Sequence, residues 1–310
     1  MTGCLIRTYR PSDSKAVVDL INRCHEEDQI GFRISADSFQ AISGEGHVDP
    51  ESHYFLAVVR AQLAGFSMLS RELGTRTILH MWVHPEFRGS EIGQRMVLHS
   101  ARQASLFPEP LLDIPVKSTE KNKLGLMQHL GYHYERTWWR MRVELRSPVP
   151  KAVLPPEFTT RTFVVERDGR ALSDLVNAAF SEHWGEGMYT MEELEHDLSL
   201  PWFDPKLLVL AETEGQMVGY VWSWINPDTI ALTGDARGTI SDLGIIAAYR
   251  RRGLGRALLL RALADLQTRG MTAAELDMDG PNANAKRLYE SVGFREKEET
   301  RWFRKELRRE

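Results

Sequence analysis

Residues 250–256 read Arg-Arg-Arg-Gly-Leu-Gly-Arg and lead directly into an apolar run starting at Ala257. The first N–H groups of a helix have no intrahelical partner and carry the positive end of the backbone dipole. Without β-carbons at Gly253 and Gly255, an anion can approach those donors closely. Arg250, Arg251, Arg252 and Arg256 add charge-assisted donors of the kind phosphate oxygens accept. The turn therefore suits a phosphate or pyrophosphate. The known phosphate loops do not account for it: no Gly-Lys-Ser/Thr follows, and the third glycine of the dinucleotide fingerprint is missing. A solvated basic turn has the same composition, so the turn alone leaves both readings open.

Such donors act only if a strand and a helix hold them. Leu258, Leu259, Ala262, Leu263 and Leu266 recur with the 3.6-residue period of a helix. Upstream, "ISDLGI" reads as a strand. Downstream, "AAELDM" reads as a strand and "NAKRLYESV" as a helix stopped by Gly293, a common C′ residue. Strand, helix and strand in that order imply a crossover and a partly parallel sheet. Earlier still come a strand at "RTF", a helix at "GRALSDLVNAAFSE", and two hairpin strands, "LLVLAE" and "MVGYVWSW". The fold class is α/β.

The same order is written twice. "GYHYERTWWRMRVEL" begins at Gly131 and "GFREKEETRWFRKEL" at Gly293. That spacing also pairs Arg88 with Arg250, Gly93 with Gly255 and Val83 with Ile245. Further upstream Gly65 pairs with Gly219 at a spacing eight residues shorter, which places an insertion near "INPDTIALTGDARG" in the second copy. Between the copies, Pro148, Pro150, Pro155 and Pro156 predict an extended linker. The expected division is a domain over 1–147, a linker over 148–156 and a domain over 157–310, consistent with a length of 310 residues.

Composition narrows the partners. A net charge of −4 argues against a general polyanion binder. The arginine cluster is confined to one turn of a chain with net negative charge, so no nucleic-acid partner is expected. Cys4 and Cys24 have no metal-ligand spacing, and no metal is expected. No apolar run approaches the ~18 residues of a membrane span. The first residues lack the apolar core of a signal peptide. The expectation is a cytoplasmic monomer or homodimer without a membrane partner.

Two motifs sharpen the function. "I-x-A-x-Y-R-x-x-G-x-G-R-A-L" is followed by "N-x-x-A-x-x-L-Y-E-x-x-G-F", here Asn282, Ala285, Leu288, Tyr289, Glu290, Gly293 and Phe294. In this order they resemble the GNAT superfamily of acyl-CoA-dependent N-acetyltransferases, clearly from about residue 158 onward and more weakly in the first copy. The resemblance implies two tandem GNAT domains and acetyl-CoA as cosubstrate. It implies that Arg250, Arg251, Arg252, Gly253, Leu254, Gly255 and Arg256 surround the CoA pyrophosphate, and that Leu243, Gly244 and Ile245 hydrogen-bond the pantetheine arm. Asn282 falls where the family contacts that arm. Tyr289 falls where the family's tyrosine protonates the leaving thiolate, a step that suits a phenol of pKa ~10 facing a thiol of ~8.5. Packing beside Leu288 is the structural alternative for Tyr289.

The resemblance also implies an amine acceptor, whose ammonium must lose a proton before it attacks. Several members use a glutamate six positions ahead of the residue matching Ile245, and that position is Thr239 here. Asp242 is the nearest carboxylate on that strand and the candidate base. Glu182, His183 and Glu186 belong to the region that walls the acceptor pocket in the family, and are candidates for binding a small-molecule amine. A polar connection between helices accounts for them equally well. Trp184, Trp202, Trp222 and Trp224 could line an aromatic pocket or pack in the core. In the first copy Glu91, Glu120 and Met127 stand at the positions of Gly253, Asn282 and Tyr289, so that copy is expected to be degenerate. A non-catalytic acyl-CoA sensor is the alternative function, and the retained Tyr289 and Asn282 weigh against it.

Overall fold

The computed structural model describes residues 3–43, 49–72, 76–182, 184 and 187–307. In chain order the first copy contributes β1 (Cys4–Thr8), α1 (Ser14–Glu27), α2 (Ala36–Ile42), α3 (Pro50–His53), β2 (Tyr54–Val59), β3 (Gln62–Glu72), β4 (Arg76–Val83), α4 (Ile92–Ala104), β5 (Leu111–Lys117), α5 (Lys121–His129) and β6 (His133–Glu144). The second contributes β7 (Thr159–Thr162), α6 (Val165–Phe180), α7 (Met191–Ser199), β8 (Leu208–Thr213), β9 (Gln216–Trp224), α8 (Pro227–Thr233), β10 (Arg237–Ile245), α9 (Leu254–Thr268), β11 (Ala273–Asp279), α10 (Ala283–Ser291) and β12 (Arg295–Glu306).

These elements pack into two compact units, residues 1–137 with 299–310, and residues 138–298. The first unit pairs its strands in the order β1-β2-β3-β4-β5-β12, and the second in the order β7-β8-β9-β10-β11-β6. Among the described residues β4–β5 and β10–β11 run parallel, each joined through a helix. The proline-rich segment at 148–156, where the sequence places the domain boundary, carries no helix or strand. The compact units instead divide inside β6 and β12, because Trp138–Glu144 pair with β11 and Thr300–Glu306 pair with β5. Gln267 at the end of α9 fixes the start of the proline-rich segment by donating to the carbonyls of Leu145 and Ser147, both at 2.8 Å.

In the second unit, helices cover both sheet faces. Leu258, Leu259, Leu263 and Leu266 of α9 are buried against Val221, Ile240 and Leu276 on one side. Leu172 and Leu175 of α6 meet Leu208, Leu210, Tyr220 and Trp222 on the other. Full burial of each such side chain stabilises by about 1.5–3 kcal/mol, so the periodic leucines of α9 fix its seat on the sheet. The insertion expected near 225–238 is the short helix α8, capped by Asn226 and ended by Gly234 at φ +70°. The loop after α6 also contains α7, whose start carries a capping box between Thr190 and Glu193. Among the described residues no helix is long and apolar enough to cross a membrane.

Candidate active site

β10 is the centre of the site. On one side it pairs with β9 along its length, from Thr239–Trp224 to Ile245–Gly219. On the other it pairs with β11 only from Arg237–Ala273 to Thr239–Glu275. Beyond Thr239 the two parallel strands separate, which leaves the backbone edge of Leu243, Gly244 and Ile245 open on the β11 side. An extended amide-bearing chain can add to such an edge as a strand does. Gly244 lets α6 approach: a β-carbon there would run into the Tyr220 ring, with Ala179 and Phe180 at 3.1 Å.

A bulge sets the chemistry of the opposite side chains. Thr239 pairs with Trp224 and Ile240 with Ser223, but the next pair is Asp242 with Trp222, so Ser241 is the extra residue. Side chains alternate along a strand, and residues three apart would normally face opposite ways. The bulge restores Asp242 to the face of Thr239, Trp222 and Trp224. There Asp242 lines a shallow cleft with Asp197, Leu200, Trp202, Phe203, Trp222, Trp224 and Ser241. The Ser241 hydroxyl donates to Asp242 Oδ2 at 2.7 Å.

Glu275, opposite Thr239 across the parallel pair, is the other carboxylate at this level. It is buried but ion-paired to Lys297 at 2.6 Å, Arg142 at 3.0 Å and Arg237 at 3.3 Å. Burial opposes its charge, yet Lys297 and the arginines hold its pKa below the usual glutamate value. Three cations make it a poor proton acceptor.

The basic turn leaves β10 and opens α9. Arg251 has φ +62° and Gly253 φ +86°, so the backbone turns twice through the left-handed region. Gly253 is the N-cap of α9 and brings no side-chain acceptor; the first helical bond runs from Ala257 N to Gly253 O. The N–H groups of Leu254, Gly255 and Arg256 are thus the helix's uncapped donors. Leu254 can offer only its backbone, since its side chain is in the core. The four arginines divide by role. Arg250 turns back on the protein, donating from Nε to Ile245 O at 2.9 Å and from a terminal nitrogen to Ala179 O at 2.8 Å. Arg252 donates to Ala248 O and lies 5.1 Å over the Tyr249 ring. Arg251 and Arg256 are exposed and make no ion pair among the described residues.

α10 supplies the other two expected residues. Asn282 is its N-cap, and its side-chain oxygen accepts from Ala285 N at 3.0 Å. Tyr289 is half-buried, and its ring packs 5.9 Å from Phe294. Burial, reinforced by the charge of Asp242, pushes its hydroxyl up to about 12. Tyr289 and Asp242 therefore share one electrostatic neighbourhood.

The expected acceptor wall is different in detail. Glu182 is absent from the cleft lining; it follows α6 in a turn beside Arg250, 3.4 Å from a guanidinium nitrogen, with its side chain 81% exposed. His183 and Glu186 lie outside the described residues. The cleft instead takes Asp197 from α7, a residue that sequence reasoning passed over. The Thr190–Glu193 capping box was the signal that a helix begins there and carries a new face. Three of the four tryptophans considered, Trp202, Trp222 and Trp224, line the cleft.

The first unit repeats the frame with other side chains. β4 pairs with β5 only at Thr77–Leu112 and Ile78–Asp113, and Phe66–Trp82 is the pair equivalent to Tyr220–Gly244. Trp82 thus replaces the close-approach glycine. Its ring stacks on Phe66, and its N–H donates to His25 Nε2 at 3.1 Å. Arg88 keeps the Arg250 contact, donating from Nε to Val83 O at 3.1 Å, and its other nitrogens grip Asp28 at 2.6 and 2.8 Å. Glu91 caps α4 with ordinary right-handed φ, and Met127 is fully buried.

Known proteins resemble both copies of this fold. The profile described as the acetyltransferase (GNAT) family matches residues 162–294, and one described as the acetyltransferase (GNAT) domain matches residues 50–134. The chain is 33% identical over 298 residues to a protein named mycothiol acetyltransferase from Thermobispora bispora, covering 94% of each. It is 29% identical to one of the same name from Stackebrandtia nassauensis, covering 96% of each. Among solved structures, a GCN5-related N-acetyltransferase from Sphaerobacter thermophilus superposes with a TM-score of 0.79 at 26% identity, over 99% of this chain and 96% of that one. A tandem GNAT protein of the clavulanic acid biosynthesis pathway shares the fold at a TM-score of 0.76, with 13% identity over 99% of both chains.

Proposed function

The chain belongs to the acetyltransferase (GNAT) family, and on that premise we propose that it transfers the acetyl group of acetyl-CoA to a primary amine of a small molecule, with the chemistry in the 138–298 unit. The observation that carries this reading is the parting of β10 from β11 beyond Thr239, which leaves a backbone edge that runs into the uncapped first turn of α9. The uncapped first turn of α9, with Arg251 and Arg256 exposed beside it, fits a pyrophosphate. The β10 edge at Leu243–Ile245 that β11 leaves unpaired fits the amides of a pantetheine arm, the Ile245 carbonyl already being taken by Arg250. When bound there, acetyl-CoA supplies the thioester and hence the acetyl group. Arg250 acts on the strand and α6 and positions the turn, and Asn282 holds the start of α10.

In this reading Asp242 takes one proton from the acceptor's ammonium, directly or through water. The neutral amine forms the new C–N bond, the C–S bond breaks, Tyr289 gives its proton to the departing sulfur, and the second proton shed by the new amide nitrogen returns through water to the Tyr289 phenolate. Burial keeps Tyr289 protonated until that moment. The bulge at Ser241 lets an aspartate serve the face that carries Thr239. The relatives' name makes a mycothiol-related amine one member of the class to test. The decisive experiment titrates acetyl-CoA into the protein and into Gly253→Glu, then follows CoA release over an amine panel. A single site, lost in the variant, with release only when amine is present, is the expected result. Equal binding by the variant would remove the pyrophosphate reading.

A further inference from the structure

Asp197 is a carboxylate that the transfer step does not use. It sits half-buried on α7 in the lining of the acceptor cleft and has no ion-pair partner among the described residues. It is nevertheless held firmly in place. The Tyr189 hydroxyl donates a short hydrogen bond to its Oδ2. Tyr189 is in turn clamped to α6: its N–H donates to Asn177 Oδ1 at 2.8 Å, and its carbonyl accepts from Asn177 Nδ2 at 2.9 Å and from the Ser173 hydroxyl at 2.8 Å. Tyr189 lies within the field of both Asp197 and Asp242. A packed helix, a clamped loop residue and a phenol thus fix one carboxylate at the cleft, while the β10 bulge fixes a second.

Among the described residues the rest of the lining is Leu200, Trp202, Phe203, Trp222, Trp224 and Ser241, which brings aromatic faces and no basic side chain. His196, the neighbour of Asp197 on α7, stays outside the lining and acts on Asp197 only as a secondary charge. A carboxylate withdrawn from water is costly unless a cation meets it. Tryptophan faces also attract ammonium groups. An ammonium carried by the acceptor would meet both the Asp197 carboxylate and the aromatic faces there.

We propose that the acceptor carries two amines: one delivered to Asp242 for acetylation, and a second retained as an ammonium by Asp197 against the tryptophan faces. This rests on the amine-acetylation reading above and names its substrate class as a diamine or longer polyamine. Asp197 acts as a specificity residue and Tyr189 as its positioning residue. Acetylation removes one of the acceptor's two charges, so the product is held less tightly than the substrate.

The test compares butane-1,4-diamine with butylamine, which has the same carbon length and one charge. Thiol release from acetyl-CoA is followed for the wild type, Asp197→Asn and Tyr189→Phe. The wild type is expected to favour the diamine about tenfold or more in kcat/KM. Asp197→Asn, which keeps the shape and the Tyr189 hydrogen bond, should raise the diamine KM about tenfold with a smaller change in kcat. Tyr189→Phe should narrow the preference in the same direction. Equal use of the two amines, or an unchanged preference in Asp197→Asn, overturns the inference and leaves amine acetylation standing. If acetyl-CoA itself does not bind, the functional reading falls. Calorimetry of the diamine alone then still judges the cleft: binding that weakens in Asp197→Asn supports the assignment, and no binding to the wild type overturns it.

Discussion

Arg250 and Ile245 are joined by a hydrogen bond of 2.9 Å from the guanidinium Nε to the last carbonyl of β10, and the same guanidinium reaches Ala179 at the end of α6. The first arginine of the basic turn therefore ties strand and helix together. Arg250→Ala should weaken acetyl-CoA binding about tenfold, the scale of losing charge-assisted bonds that shape a site. Arg250→Lys should not restore it, because an ammonium cannot reproduce the planar fork that spans two carbonyls. Calorimetry decides: wild-type affinity in the lysine variant would mean that only the charge matters.

Gly253 separates backbone strain from charge. At φ +86° an alanine is strained by about 1–2 kcal/mol, while its β-carbon would meet only Pro155 Cγ at 3.7 Å. Gly253→Ala should thus bind acetyl-CoA about 5–30-fold more weakly. Gly253→Glu adds an anion at the mouth of α9 and should abolish binding. Titration of both variants gives the comparison, and a glutamate variant no worse than alanine would show that no anion sits there.

Tyr289→Phe should lower kcat ~10²–10⁴-fold while leaving acetyl-CoA affinity within a few-fold. An acid must be protonated to act, and a raised pKa extends its protonated range upward. With the hydroxyl pushed up to about 12, it stays protonated across the ordinary alkaline range. The kcat of the wild type should then show no alkaline loss from this group between about pH 8 and 10. A descending limb near pH 9 that vanishes in the phenylalanine variant would contradict the environment described here.

Much of this was legible beforehand because it rests on local patterns. The leucines of α9, the cap at Gly293 and the doubled motifs each constrain a few neighbouring residues, and the structure places them as the sequence predicts. The site's side chains were harder to read. Which way Asp242 points depends on the one-residue bulge at Ser241, and bulges leave no compositional mark in "TISDLGI". Asp197 enters the cleft only through the packing of α7, a tertiary fact. The destinations of β6 and β12 depend on pairing partners far away in sequence, such as Glu144 with Ala273 and Lys117 with Thr300. Arg250 shows the same limit from another side. Its residue type suggested a phosphate contact, but its position binds it to backbone carbonyls.

The second unit's first strand is secured by Asp168, a buried carboxylate on α6. Burial opposes its charge, yet hydrogen bonds from Arg167, Arg161 and the Val164 N–H hold its pKa well below the usual aspartate value. A depressed folded-state pKa adds stability that is present above the unfolded value of ~3.9 and is lost as pH falls through the folded value. Asp168→Asn should cost about 1–3 kcal/mol at neutral pH, with the gap to wild type shrinking in acid. Urea unfolding at neutral pH and near pH 3 measures it. A gap that widens on acidification would reverse the assigned sign.

The first unit should bind no acyl-CoA, so titration should give one site per chain. The reason is cumulative. Trp82 stands at the close-approach position of Gly244, and its N–H is already engaged by His25. Lys123 reaches the Met81 carbonyl at 3.5 Å, on the strand segment equivalent to Leu243–Ile245. Glu91 places a carboxylate at the mouth of α4, where an incoming phosphate would meet like charge. Removing one obstacle leaves the others, so Glu91→Gly should still titrate as a single site. Trp82→Gly should cost stability, about 3–5 kcal/mol on the scale of large-to-small core changes, again without a second site. Two equal sites in the wild type would show that the slot opens despite Trp82, and a second site appearing in Glu91→Gly would assign its closure to that one charge.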